Sequence, residues 1–193
     1  MASTSSGEVQ RFCMFTDSLY TFHHRSSKNT YELRKVAEGM CIHLSKVSPV
    51  FTVRWVASSF RAVKSFASGY SALYSHLLGT SQDRRRSSQE RSKCAGLAKK
   101  MNSWSFVAEM LLLYDVLEVL WHLSSYLQTR TASLIDAQSR INVAIKTLSA
   151  MKSQAGLHLE ELVKSPVEVE YSGVKLTRTK CDVQVQLHNM DNL

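Results

Sequence analysis

Thr52-Val53-Arg54-Trp55-Val56-Ala57-Ser58-Ser59-Phe60-Arg61 joins two kinds of pattern. Before it, Pro49 forbids helix and drives Ser48 into extended backbone. Proline is tolerated at the start of a strand, so the apolar run from Val47 to Val53 reads as one short strand. After it, Val56, Phe60, Val63, Phe66, Ala67, Tyr70, Leu73, Tyr74 and Leu77 recur at spacings of three and four. That is the face of a long amphipathic helix, Trp55 to Leu78, ended by Gly79-Thr80-Ser81. The junction turns a strand into a helical bundle, and the fold class follows: mainly α, with one short strand near 47–53.

Upstream, Val9, Phe12, Phe15, Leu19 and Phe22 mark a helix over Glu8 to His24. Arg25 to Asn29 breaks it, and Asn29 or Thr30 is placed to cap a second helix, Tyr31 to Leu44. Downstream, the polar, arginine-rich segment 81–93 reads as a loop, followed by a short helix from Gln89 to Met101. Asn102 or Ser103 caps a long helix, Trp104 to Arg130. Its middle, Met110-Leu111-Leu112-Leu113-Tyr114, is apolar on all sides and belongs at the centre of a bundle. A second long helix, Thr131 to Leu162, carries Leu134, Ile141, Ile145 and Leu148 and pairs with the first as an antiparallel hairpin. Pro166 ends the helical region. Val167 to Leu187 alternates loosely around Ser172-Gly173. A hairpin with no sheet beside it is marginal in water, so a weakly ordered tail is expected over 166–193.

The chain has 193 residues, enough for one domain, and only 7 Gly and 2 Pro, which favours helix. No apolar run approaches the ~18 residues of a membrane span. The Ser/Thr-rich start lacks the basic and apolar regions of a secretory signal. Cys13, Cys41, Cys94 and Cys181 are dispersed, without a CxxC pair, so neither a disulfide framework nor a zinc site is expected. No two histidines stand four apart, and His122 beside Trp121 reads as a partly buried core residue. Asp115 with Glu118, and Glu160 with Glu161, read as solvated helix faces. Nucleophile-elbow, dinucleotide and phosphate-loop motifs are missing. No catalytic residue, metal ligand, cofactor or small-molecule substrate emerges.

The net charge is +8, which suits an anionic partner. The densest cluster is Arg84-Arg85-Arg86-Ser87-Ser88-Gln89-Glu90-Arg91-Ser92-Lys93. From Gln82 to Lys100 there are seven basic and two acidic residues, a net of +5. It reads either as a solvated loop or as a phosphate-contacting or nuclear-import patch through Arg84, Arg85, Arg86, Arg91 and Lys93. Arg85-Arg86-Ser87-Ser88 also fits a basic-directed kinase site. Arg54 and Trp55, with Arg61 further along the helix, form a second candidate patch. There, a Trp would stack on a base while an Arg grips phosphate, or Trp55 would simply staple the helix to its neighbours.

The run from Val53 to Val63 resembles the "RW" junction of hAT-superfamily transposases, and more closely that of the domesticated, transposase-derived proteins of vertebrates. Asp17-Ser18-Leu19-Tyr20-Thr21-Phe22 with Tyr31-Glu32-Leu33-Arg34, Glu90-Arg91-Ser92 with Gly96-Leu97-Ala98-Lys99-Lys100, and Tyr114-Asp115-Val116-Leu117 with Leu127-Gln128-Thr129-Arg130 follow in the family's order. The resemblance covers roughly Phe12 to Lys152. It implies an RNase H-like core interrupted by a helical insertion, with two Asp and one Glu holding the metal ions. None of those acids has a match in this chain, nor has the family's Cys-x-x-His, zinc finger or dimerisation segment. A two-metal site cannot form without its ligands.

The expected organisation is a remnant of the RNase H-like core over 1–54, a helical insertion over 55–165 with its basic loop at 81–93, and the tail. The expected function is that of a non-catalytic nuclear fragment binding nucleic acid or protein partners. The alternatives are a self-associating interaction module without nucleic-acid binding, located in nucleus or cytoplasm, or a truncated product without activity of its own. No membrane partner is expected.

Overall fold

The computed structural model describes residues 2–44, 55–164 and 170–178. The expected strand at 47–53 lies outside them, as does Arg54. The described residues are mainly helical, with one small antiparallel sheet. The order is α1 (Ala2–His24), α2 (Ser27–Gly39), α3 (Trp55–Ser68), α4 (Tyr70–Gln82), α5 (Ser88–Met101), α6 (Trp104–Leu127), α7 (Leu134–Ala150), α8 (Leu157–Val163), β1 (Glu170–Tyr171) and β2 (Val174–Lys175).

α6 is the hub: α1, α3, α5, α7 and α8 all pack on it, while α4 holds α2 and α5. At the centre, Phe12 and Phe15 of α1 meet Phe66 of α3 and Phe106 of α6. The ring centroids lie 4.7 to 5.9 Å apart in these four contacts, mostly edge to face. Phe12, Phe15, Leu19, Phe22 and Leu33 share one apolar cluster with Phe66, Leu73, Met101, Val107 and Leu117. The boundary expected at residue 54 thus falls within a single core.

Four local expectations are corrected. Ser26, not Asn29 or Thr30, caps α2 by accepting the Asn29 N–H. α2 stops at Gly39, where the Ile42 N–H reaches back to the Ala37 carbonyl and Cys41 takes a left-handed conformation (φ 56°). The single helix expected over 55–78 is two, broken at Gly69. There a Cβ would stand 3.0 Å from a Leu44 methyl, which would have to give by a few tenths of an ångström. The helix expected over 131–162 is also two, separated at 151–156.

The segment 170–178, expected to be weakly ordered, is tied to the core. Ser172 and Gly173 both have positive φ, as the tight two-residue hairpin turn requires. Val174 is buried, and Tyr171 packs edge-on against Tyr70 with centroids 4.9 Å apart. Thr177 then donates its N–H to the Asn102 carbonyl and accepts from the Trp104 N–H. It satisfies a free group at the start of α6, where Ser103 occupies the cap position without a side-chain cap bond. Burial against helices supplies what an isolated hairpin lacks.

Candidate nucleic-acid interface

The turn between α4 and α5 is much shorter than the loop expected over 81–93. Ser81 and Gln82 finish α4, and Ser87 caps α5 by accepting the Glu90 N–H. Ser87-Ser88-Gln89-Glu90 is the capping-box spacing. The three consecutive arginines in this turn part company. Arg84 and Arg85 are exposed, whereas Arg86 is only 7% exposed.

Arg86 is fully committed. Its guanidinium donates to Glu32 of α2 and Glu90 of α5 and, at 2.7 Å, to the amide oxygen of Asn29, and lies 3.7 Å from Asp83. Arg86 as a phosphate-contacting residue is therefore corrected. A buried cation must be paired, and these acids pair it. Asn29 is itself fixed, donating its side-chain N–H to the Phe22 carbonyl.

This inward turn changes the charge of the surface. Asp83 and Glu90 are the two acids between Gln82 and Lys100, and both point at Arg86. The other basic side chains of the segment, Arg84, Arg85, Arg91, Lys93, Lys99 and Lys100, are left without an interleaved acid of their own segment. Lys93 lies over the Phe22 ring at 5.9 Å and Lys100 over Phe15 at 5.3 Å. They are seven apart on α5 and face rings seven apart on α1, so they form a short cationic ladder along the α1–α5 seam. Partial burial lowers the Lys100 pKa, with Glu109 opposing and Arg11 adding to the shift.

Of the second candidate patch, Arg61 alone has a described side chain. Trp55 opens α3 and its side chain lies outside the described residues. Arg61 is exposed, with its Nε donating to the Ala57 carbonyl, on a helix that packs on α6 rather than on α5.

Behind Arg86 lies a histidine pair. The His23 Nδ1–H donates to the Leu19 carbonyl (2.9 Å), so in the neutral ring Nε2 accepts from the Nδ1–H of His76 (3.3 Å). On its other side, His76 Nε2 lies 3.5 Å from the Glu32 carboxylate, which favours a proton on that nitrogen and opposes the effect of burial. Burial pushes His23 down to about 4 and lowers His76 as well. A cavity of about 340 Å³ opens beside this cluster, lined in part by Glu32, His76, Thr80 and Arg86.

Asp115, expected on a solvated face, is 3% exposed. Its carboxylate accepts the backbone N–H groups of His158 (3.0 Å) and Leu159 (3.1 Å) and so caps α8 from another helix. Gly156 is required there, because a Cβ would come 2.5 Å from that carboxylate. His122, expected to be partly buried, is exposed. Among the described residues no group of three His, Cys, Asp or Glu side chains could hold a metal ion.

No protein-family model matches the chain, and no solved structure matches it. No described helix is long and apolar enough to cross a membrane.

Proposed function

We propose that this chain is a non-catalytic, transposase-derived helical module that acts in the nucleus by binding nucleic acid through the α4–α5 turn and α5. The observation that carries the reading is the segregation of charge. Arg86 draws the two acids of its segment inward, and Arg84, Arg85, Lys93, Lys99 and Lys100 remain as a cationic strip, while Arg91 is half-buried on the side of α5 away from Lys93 and Lys100. Such a strip binds by neutralising phosphates and releasing counterions, with little regard to sequence. The transposase origin rests on the order of the sequence motifs, and the non-catalytic assignment on the lack of the family's three metal-binding acids.

Titrating labelled double-stranded DNA at several salt concentrations tests this reading. Replacing Arg84 and Arg85 with Ala should cut the slope of log K against log salt by about 0.9 for every phosphate that the variant no longer neutralises. Unmeasurable affinity at low salt, or an unchanged slope, would overturn it. Metal-dependent cleavage of the same DNA would overturn the non-catalytic assignment.

A second reading, a protein-interaction module, is favoured by α7, whose Leu134 and Ile135 are 87% and 84% exposed. Sedimentation as a clean monomer at high concentration would count against self-association.

A further inference from the structure

We infer that Ser87 is a phosphorylation site for a basic-directed protein kinase. The sequence offers two acceptors with arginines three and two residues before them: Ser87, after Arg84 and Arg85, and Ser88, after Arg85 and Arg86. The structure separates them. Arg84 and Arg85 are exposed and available to an acidic kinase groove. Arg86, needed to recognise Ser88, is buried among Asn29, Glu32 and Glu90.

Backbone geometry points the same way. An acceptor serine must lie in extended chain for the preceding side chains to reach separate pockets of a kinase groove. Ser87 is exposed and its own backbone is extended (φ −60°, ψ 150°), so a kinase need open only the turn before it, closed by the Arg86 N–H on the Asp83 carbonyl, whereas Ser88 is already the first residue of α5. The Ser87 hydroxyl makes one local contact, accepting the Glu90 N–H at 3.2 Å. Phosphate oxygens at the same position can accept that N–H in its place, and an anion at a helix N-terminus is favourable. The modified chain therefore keeps its cap.

The co-reactant is a nucleoside triphosphate held by the kinase. Ser87 Oγ attacks the γ-phosphorus, and a new O–P bond forms as the bond to the β-phosphate oxygen breaks. The hydroxyl proton passes to the kinase's catalytic carboxylate, and nucleoside diphosphate leaves. The product adds about 1.5–2 negative charges next to Arg84 and Arg85, at one end of the cationic strip.

The test is phosphorylation of the folded, full-length chain by the catalytic subunit of cyclic-AMP-dependent kinase, with the site assigned by mass spectrometry. Phosphate should appear on Ser87 and persist there in Ser88→Ala. It should be lost in Ser87→Asn, which retains a capping side chain and whose helicity is checked by circular dichroism. The initial rate should fall at least tenfold when Arg84 and Arg85 are both replaced by Gln. Phosphate on Ser88 with Ser87 unmodified would overturn the inference. So would a native chain that refuses phosphate while its urea-unfolded form accepts it. Neither readout depends on nucleic-acid binding.

Discussion

Helices α6 and α7 leave one short connection and pack against each other, yet they end in opposite circumstances. α6 buries Trp104, Phe106, Val107, Met110, Leu111 and Leu117, while α7 buries Ala144 alone. Both sequences carry apolar residues at helical spacing. α6 is enclosed by five other helices, whereas α7 packs chiefly on α6. The period of a stripe says which side of a helix seeks cover. The number of neighbours decides how much of it is covered. On α7, Ile141 and Leu148 are half-buried, but Ile145, expected on the same stripe, is 57% exposed. Even within α6, Leu112 of the wholly apolar middle is 40% exposed.

The sharpest way to break this contrast is Phe106→Ala on the enclosed helix. Emptying that aromatic site should cost about 3–5 kcal/mol in urea unfolding. A loss below about 1 kcal/mol would mean that α6 is not the hub.

Next in size is the joint between α6 and α8. Asp115→Ala removes the acceptor of two half-buried N–H groups and should cost about 1–3 kcal/mol. Gly156→Ala should cost about 1–3 kcal/mol by forcing a methyl against the carboxylate. The double variant should be less unstable than the two costs added, because the first change clears space for the second. Simple additivity would show that the two residues do not touch.

Acid should act on the enclosed side of the molecule through the histidine pair. The folded pKa of His23, about 4, lies below its ordinary value of 6.5, so between these values the unfolded chain binds more protons than the native one. Stability is thus fully present above pH 6.5 and declines as pH falls towards 4. His23→Gln should flatten the fall of melting temperature across that window. An unchanged slope would place the acid-sensitive group elsewhere.

The smallest effect belongs to α7. Leu134→Ser and Ile135→Ser should each change stability by no more than about 0.5 kcal/mol, since little apolar area leaves or enters water. A larger loss, measured at rising protein concentration, would show that a second surface covers this helix.

The strip proposed as the interface is only partly legible in the chain. The arginine cluster and its net charge are visible in the primary structure, as is the Arg86–Glu90 spacing of four that suits a helical ion pair. The inward turn of Arg86 is not. Its other partners, Asn29 and Glu32, stand more than fifty residues away, on a helix whose position depends on the whole core. Asp115 misleads for the same reason. Its spacing from Glu118 suits a wet helix face, and the N–H groups it caps lie more than forty residues further on.

Local physics alone determined that this chain is helical: few glycines and prolines, apolar residues at spacings of three and four, Ser87 with Glu90 to start α5, and Ser172-Gly173 to turn the hairpin. Those signals act within one or two turns of chain, so they can be read in order along it. Tertiary structure decided where α8 begins, because Gly156 answers to Asp115 rather than to its neighbours in sequence. It also decided which charges face water. A buried cation must find its acids wherever the fold brings them, and the charges left outside are those that set the surface potential.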